Sequence, residues 1–133
     1  MTNSRCVDIR YEGIVNYEEA IGLMKSLQKQ RIEEEINDTM LILEHPEIVT
    51  VGPRARNDGI SAPPGYETFP VDRGGGLTWH GEGQIVCYPI FKWNLDGEDS
   101  VASIISKIED WVISSLSELD IPARRDERMQ GVW

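Results

Sequence analysis

The chain has 133 residues, with 23 acidic and 13 basic side chains, so its formal net charge is −10. This length and the 40% hydrophobic content suffice for one hydrophobic core and argue against a disordered chain, so we predict a single domain over residues 1–133. The acidic balance argues against binding to nucleic acid or to an anionic membrane surface, because both need a basic footprint.

The cysteine content and the distribution of apolar residues indicate the cellular compartment in which we expect the protein. Cys6 and Cys87 are the two cysteines of the chain, which is too few for a disulfide framework. The first ten residues contain no apolar signal-peptide core. No apolar run approaches the roughly 20 residues that a membrane-spanning helix needs. The sequence therefore predicts a reduced, soluble, cytoplasmic protein.

The first half of the chain carries helix and strand patterns in turn. Alternation over residues 6–11 predicts a strand, and apolar residues at every third or fourth position predict a helix over residues 17–36. The continuous apolar run over residues 39–43 predicts a strand buried on both faces. Residues 48–51 then predict a second, shorter strand.

The second half begins with a segment that has no hydrophobic period. Residues 53–66 contain three prolines and two glycines and predict a loop. The remaining predicted elements are extended pieces at 69–72 and 77–79, a strand at 84–91, a helix from Val101 to Leu119 capped by Asp99 or Ser100, and a strand opening at Gly131.

Five glycines, an arginine, a threonine and a histidine are concentrated in residues 71–84. Glycines let a ligand approach the backbone closely, and their N–H groups can polarise a carbonyl. A tight turn without a ligand explains the same composition equally well. The segment is neither a P-loop nor a dinucleotide fingerprint. His45 and His80 are too few for a metal site, so we predict no metal and no cofactor.

Several segments of the chain together resemble the octanoyltransferase family, in the same order and with similar spacing. The matching segments are Leu43-Glu44-His45-Pro46, Thr50-x-Gly52, Arg73-Gly74-Gly75-x-x-Thr78-x-His80-Gly81-x-Gly83-Gln84 with Tyr88-Pro89, and Gly131-Val132-Trp133. The chain departs from the family pattern at Glu82, where a proline is usual, and at Gly76, where polar residues are common.

The resemblance implies a fold and an activity. The fold is an α/β domain with a mixed sheet and flanking helices, similar to the catalytic domain of biotin and lipoate protein ligases and here incomplete. The activity is transfer of an octanoyl group from octanoyl-acyl carrier protein to a lysine of lipoyl domains, both those of 2-oxoacid dehydrogenases and the glycine cleavage H protein. In the family, the segment that matches residues 73–80 lines the acyl pocket. The implied substrate-binding residues are Arg73, Gly74, Gly75, Gly76, Leu77, Thr78, Trp79 and His80.

The family's nucleophilic cysteine and its partner lysine correspond to positions beyond Trp133, so no catalytic residue is assigned in this chain. Cys87 has apolar and aromatic neighbours and no nearby cation, whereas a reactive cysteine needs an electropositive setting. We expect Cys87 to be a packed strand residue. Trp79 is expected in the core or in a pocket wall, and His80 is expected to face a cleft.

Three hypotheses share this family resemblance. In the first, a complementary chain supplies the second half of a catalytic octanoyltransferase. In the second, the chain is a non-enzymatic acyl- or carrier-binding module, and in the third it is an inactive truncated product. A lipoate–protein ligase matches less well, because ligases read histidine–aspartate and glycine–asparagine where this chain has His80-Gly81 and Gly83-Gln84. The strand at Gly131 is expected to leave an unpaired edge.

Overall fold

A computed structural model describes residues 4–133. The chain divides into two compact units, which are described separately: residues 6–91, and residues 92–133 together with residues 4–5. Within the described residues, no helix combines the length and the apolar character that crossing a membrane requires.

The unit of residues 6–91 contains two three-stranded sheets. In the first, β1 (Val7–Ile14) is parallel to β2 (Asp38–Glu44), and β2 is antiparallel to β6 (Val86–Ile90). The second sheet consists of β3 (Ile48–Val51), β4 (Thr68–Pro70) and β5 (Leu77–His80). Its strand order is β4-β3-β5, so β3 is the central strand. Each sheet mixes parallel and antiparallel pairs. The predicted α/β fold with a mixed sheet is confirmed.

Helix α1 (Tyr17–Ile32) supplies the apolar layer of the first sheet. The Asn16 side chain caps it by accepting from the Glu18 N–H. Its apolar face packs on a core cluster of Ala20, Leu27, Leu41, Leu43 and Ile90. The helix ends four residues before the predicted boundary, because Glu34 adopts a φ of +59°, a left-handed conformation that cannot continue a right-handed helix.

The predicted loop over residues 53–66 contains a short helix, α2 (Pro53–Asn57), and the prediction of loop throughout is wrong. Pro53 fits the first turn of a helix, where its missing N–H costs nothing. The Arg56 guanidinium donates to the carbonyls of Val51 and Val71, at 2.6 and 3.0 Å, and Ala55 is buried. The contacts that hold this helix come from residues outside it. Its own five residues are too few to show a helical period in the sequence.

The unit that contains residues 92–133 is built on α3 (Val101–Glu118). Ser100 caps this helix, as predicted, by accepting from the Ser103 N–H. Strands β7 (Arg125–Asp126) and β8 (Met129–Val132) form a hairpin. The strand expected to open at Gly131 with an unpaired edge therefore begins at Met129 and already has one partner strand.

Glu98 is the buried charge of this second unit. Its carboxylate accepts from the Arg5 guanidinium at 2.6 and 2.9 Å, and from Lys107 Nζ at 2.5 Å. The Arg5 guanidinium also lies 5.0 Å from the Trp93 ring centroid. The Arg5 guanidinium lowers the pKa of the Glu98 carboxyl to about 2, and Lys107 acts in the same direction. The carboxylate thus ties three separate segments together.

We predict that Glu98→Gln lowers the free energy of unfolding by about 3 kcal/mol at pH 7, because Arg5 and Lys107 lose their buried counter-charge. The folded pKa of about 2 lies below the usual value of 4.5. The stabilisation is therefore complete above about pH 4.5 and disappears as the pH falls towards 2. Urea unfolding at pH 7 and pH 2.5 measures both effects.

The matched control for this prediction is Glu118→Gln, at the exposed last residue of α3. It should change the free energy of unfolding by less than about 0.5 kcal/mol. Equal stabilities of Glu98→Gln and Glu118→Gln at pH 7 would contradict a role for the Glu98 carboxylate.

Candidate functional site

The predicted glycine-rich segment meets strand β3 in the unit of residues 6–91. Strands β3 and β5 are antiparallel, with Thr50 opposite Thr78 and Ile48 opposite His80. Thr50 is fully buried and His80 is 8% exposed. The sheet register therefore brings the Thr50-x-Gly52 segment against the segment that contains Arg73 and His80.

The Thr50 hydroxyl contacts three groups of the glycine-rich segment. Its Oγ1 lies 3.2 Å from an Arg73 guanidinium nitrogen, 3.4 Å from His80 Nε2 and 3.4 Å from the Thr78 carbonyl oxygen. One assignment satisfies all three contacts: the hydroxyl donates to the carbonyl of Thr78 and accepts from Arg73 and from the His80 Nε2–H. This assignment leaves His80 Nδ1 as an unprotonated acceptor.

The turn over residues 74–76 rests on Gly52. The Gly52 N–H donates to the Gly76 carbonyl at 2.9 Å, and a Cβ on Gly52 would overlap the Gly75 carbonyl. Gly75 has a φ of +126°, which side chains other than glycine rarely adopt. The turn is a loop and not a helix, as the sequence predicted.

His45 is the second buried imidazole of the site. Its Nδ1 lies 2.8 Å from the Val15 carbonyl and its Nε2 lies 2.9 Å from the Tyr88 hydroxyl. A carbonyl only accepts, so Nδ1 carries the proton, and in the neutral ring Nε2 accepts from the Tyr88 O–H. Burial is the main cause that raises the pKa of Tyr88 to about 12, which keeps the Tyr88 hydroxyl a donor at neutral pH.

His80 is surrounded by aromatic rings and is buried, so it does not face an open cleft as the sequence analysis expected. Its ring centroid lies 5.5 Å from that of Tyr17 and 5.6 Å from that of His45. Burial lowers the pKa of His80, and its electrostatic interactions with His45 and Arg73 act in the same direction. His80 Nδ1 is a buried atom without a hydrogen-bond partner. A neutral imidazole in this position can accept one further hydrogen bond.

The second half of the motif is attached to strand β2 through Glu44. The Glu44 carboxylate accepts from the Gly83 N–H at 2.6 Å, where Gly83 has a φ of +90°. A Cβ on Gly81 would overlap the Trp79 ring. Trp79 itself is 45% exposed and donates its Nε1–H to Glu47 at 3.0 Å. Of the two expected places for Trp79, the core is wrong, because its ring is half exposed and lies against Gly81; a place in a pocket wall stays a prediction.

Three consecutive backbone donors lie open beside this network. Within residues 4–133, no acceptor contacts the N–H groups of Gly74, Gly75 or Gly76. A Cβ built on Gly76 would have the Arg54 guanidinium as its nearest neighbour, at 3.5 Å, and one built on Gly75 would have that of Arg73, at 3.9 Å. The turn therefore presents unpaired N–H groups with two guanidinium groups next to it.

The predicted site residues divide into three groups. Arg73, Thr78 and His80 meet at Thr50, residues 74–76 form the open turn, and Leu77 and Trp79 are strand residues beside it. Cys87 lies in a strand, as expected, but it is exposed and not packed. Burial of part of the residue raises the pKa of the Cys87 thiol, which disfavours the reactive thiolate. Among the described residues, no cluster of three or more His, Cys, Asp or Glu side chains could hold a metal ion.

The sequence analysis did not assign five residues to the site, although all of them stand in the segments on which the resemblance was based: Glu44, His45, Thr50, Gly52 and Tyr88. Gly52 contacts Gly76, which is 24 residues away in sequence, and His45 contacts Tyr88, which is 43 residues away. No local pattern in a single sequence predicts such pairs. The shared family motif was the one available signal.

Comparison with known proteins gives the family. Residues 16–133 match the family model of the lipoyl protein ligase A/B catalytic domain. The chain belongs to this family. Octanoyltransferases of Corynebacterium diphtheriae and Caldicellulosiruptor saccharolyticus are 39% and 38% identical to it, and each alignment covers 96% of this chain but only 50% and 57% of the relative. The resemblance to octanoyltransferases is confirmed, and the chain spans little more than half the length of these relatives.

Solved structures of this family share the fold. A putative lipoate protein ligase from Thermoplasma acidophilum has a TM-score of 0.57 at 16% identity and covers 90% of this chain and 50% of its own. Lipoate-protein ligase A bound with ATP has a TM-score of 0.54 at 15% identity, with 91% and 49% covered. A third structure, at TM-score 0.51, is described as a bi-partite lipoate protein ligase of T. acidophilum.

We predict that Gly52→Ala displaces the glycine-rich turn and lowers the free energy of unfolding by about 1–3 kcal/mol, because the new Cβ meets a backbone carbonyl and not a movable side chain. Gly22→Ala is the control, since Gly22 lies in α1 with nothing within 4 Å of its Cβ position. It should stabilise the protein by up to about 1 kcal/mol. Equal thermal stability of the two variants would contradict the close approach of Gly52 to Gly75.

Proposed function

We propose that this chain forms the acyl-binding half of an octanoyltransferase, which moves an octanoyl group from acyl carrier protein to a lysine of a lipoyl domain. The residues proposed to bind the acyl group are those of segment 73–80. Because both cysteines are free thiols, a state typical of reducing compartments, we place this activity in the cytoplasm.

The observation that carries the proposal is that two glycines of the turn have no structural reason to be glycine. Gly74 and Gly76 have ordinary φ values, and their Cβ positions meet nothing within 4 Å and one movable arginine nitrogen, respectively. Gly52 and Gly81, by contrast, are required by close packing. A backbone without side chains lets a slender acyl chain pass close along it, and the open N–H groups can donate to the acyl carbonyl oxygen.

The same turn suits the charge that acyl transfer develops. A thiolate that attacks a thioester carbonyl creates an oxyanion, and the carrier thiolate leaves when the intermediate collapses. Attack by the neutral lysine amine on the new thioester then forms the amide, releases the first thiol as its thiolate and frees one proton from the amine nitrogen. Backbone N–H groups and the Arg73 guanidinium can stabilise each oxyanion. The nucleophilic cysteine and the lysine partner belong to the family's second half.

We predict that residues 1–133 alone do not acylate an apo lipoyl domain when octanoyl-acyl carrier protein is supplied. A single-chain chimera of residues 1–133 with the remaining half of the C. diphtheriae octanoyltransferase should acylate it, as intact mass spectrometry would show. Thr50→Val in the chimera should lower kcat/KM at least about tenfold, because Arg73 and His80 lose their shared partner. Gly22→Ala should leave kcat/KM unchanged.

Two results would contradict the proposal. A folded chimera that fails to transfer, while the complete C. diphtheriae enzyme transfers under the same conditions, would show that this half does not support the reaction. Transfer by residues 1–133 alone, lost in Cys87→Ser, would place the nucleophile within the chain. Lipoate with ATP serves as a third substrate arm, and its use by the chimera would identify a ligase.

A further inference from the structure

The guanidinium group of Arg54 ends on the backbone of the glycine-rich turn. Its Nη2 lies 3.5 Å from the position that a Cβ on Gly76 would take, and Nη1 of Arg73 lies 3.9 Å from the corresponding position on Gly75. The N–H groups of residues 74–76 have no acceptor within the part of the chain that the structure describes. Two cations and three open backbone donors therefore converge on one short turn.

Helix α2 gives the Arg54 side chain a fixed base. Ala55 is buried, and the Arg56 guanidinium donates to two main-chain carbonyls outside the helix, at 2.6 and 3.0 Å. These contacts hold the two residues that follow Arg54. The Arg54 side chain is itself exposed, and Gly76 has no side chain that could separate it from the turn. Its guanidinium can therefore adjust to a ligand on the turn without a movement of the backbone.

The two cations at the turn lack a counter-charge. The chain has 23 acidic and 13 basic residues, yet neither Arg54 nor Arg73 forms an ion pair with a carboxylate of residues 4–133. Asp72 lies 3.8 Å from the guanidinium of Arg56. Cations that are held close together repel each other unless an anion lies between them. Backbone N–H groups and unpaired guanidinium groups on one turn are suited to an anionic oxygen.

We propose that Arg54 is a second cationic group of the acyl site and stabilises the oxyanion that forms on the acyl carbonyl. This inference rests on the proposed function. A cysteine thiolate from the family's second half forms a bond to the thioester carbon, and the π electrons of the carbonyl move to its oxygen. The carbonyl re-forms when the bond to the carrier sulfur breaks and the carrier thiolate leaves. No proton moves in this half of the reaction, so the negative charge needs cations and N–H donors.

An exposed arginine could instead attract an acidic carrier protein. Such attraction acts on the encounter of the two proteins and weakens as salt is added. Stabilisation of an oxyanion acts on the chemical step, and it is independent of what the sulfur is attached to. The terminal nitrogen of Arg54 lies against the backbone of the turn, which favours the second role. The two roles predict different kinetics.

The first test uses residues 1–133 and two octanoyl probes that differ in charge. Octanoate carries its negative charge on the oxygens of the acyl carbon, and octanamide is the uncharged probe of the same length. Titration followed by NMR should show tighter binding of octanoate. Arg54→Met should weaken octanoate binding at least about tenfold and leave octanamide binding unchanged, because one charge-assisted contact is lost.

Arg124→Met is the matched control for the titration. Arg124 is an exposed arginine of the other unit, so this variant removes the same charge far along the chain from the turn. It should leave the affinity for both probes unchanged. The Arg54 guanidinium has no protein partner to lose, so Arg54→Met should melt at the same temperature as the unaltered chain.

The second test measures single-turnover transfer by the single-chain chimera from two donors, octanoyl-acyl carrier protein and the uncharged octanoyl thioester of N-acetylcysteamine. Arg54→Met should slow transfer from both donors at least about tenfold, with little change in KM. Arg54→Lys should be slowed less, because lysine keeps the charge but not the fork of N–H donors. Arg124→Met should transfer at the unaltered rate.

Three results would overturn the inference. The first is octanoate affinity no greater than octanamide affinity, and the second is an equal effect of Arg54→Met and Arg124→Met. The third is a rise in KM for the carrier donor alone that disappears in high salt, which would assign Arg54 to carrier docking. Full-rate transfer by the Arg54→Met chimera would leave the proposed function intact. A chimera that does not transfer would end the proposed function, and the titration of residues 1–133 would still decide the role of Arg54.

Discussion

The hydroxyl group of Thr50 is the contact on which the geometry of the proposed site depends. It lies in the central strand of the β4-β3-β5 sheet, where two neighbouring strands hold it. From there it reaches Arg73 and His80, which are 23 and 30 residues away in sequence. A buried hydroxyl with three partners cannot be replaced by an apolar group without leaving polar atoms unpaired. The Thr50 hydroxyl therefore positions both the charged Arg73 guanidinium and the titratable His80 imidazole.

The glycines of the site serve two different physical purposes. Gly52 and Gly81 allow close packing, against the Gly75 carbonyl and the Trp79 ring respectively. Gly75 and Gly83 adopt positive φ values, which residues with side chains rarely adopt. Gly74 and Gly76 meet neither requirement, which leaves an open backbone as their effect. The composition left a tight turn and a ligand cradle undecided. Turn geometry and packing account for Gly52, Gly75, Gly81 and Gly83, and the acyl site that we propose would account for Gly74 and Gly76.

The regular elements with strong local patterns could be predicted from the sequence. The apolar period and the Ser100 cap gave α3 within one residue, and the apolar run of β2 gave a strand. Helix α2 was missed because Ala55 and Arg56 are held by residues outside it. Exposure of Cys87 was missed because alternation shows that a strand has two faces, but not which face is covered.

For the site, too, features encoded locally in the sequence could be predicted, and features that depend on distant residues could not. The position of the turn over residues 74–76 was predicted, since glycine content is a local property. The burial of His80 was not, because it depends on packing against Tyr17 and His45. The partnership of Thr50 with Arg73 likewise depends on the register of β3 and β5, which no single segment encodes.

A double-mutant cycle between Thr50→Val and Arg73→Met tests the central role of Thr50 most directly. If the hydroxyl holds the guanidinium, the two changes in unfolding free energy should couple by about 1 kcal/mol. Thr39→Val with Arg73→Met is the control cycle, since the buried Thr39 hydroxyl donates only to the carbonyl of Asn37. Additivity of Thr50→Val and Arg73→Met within about 0.3 kcal/mol, the same as in the control cycle, would contradict the account.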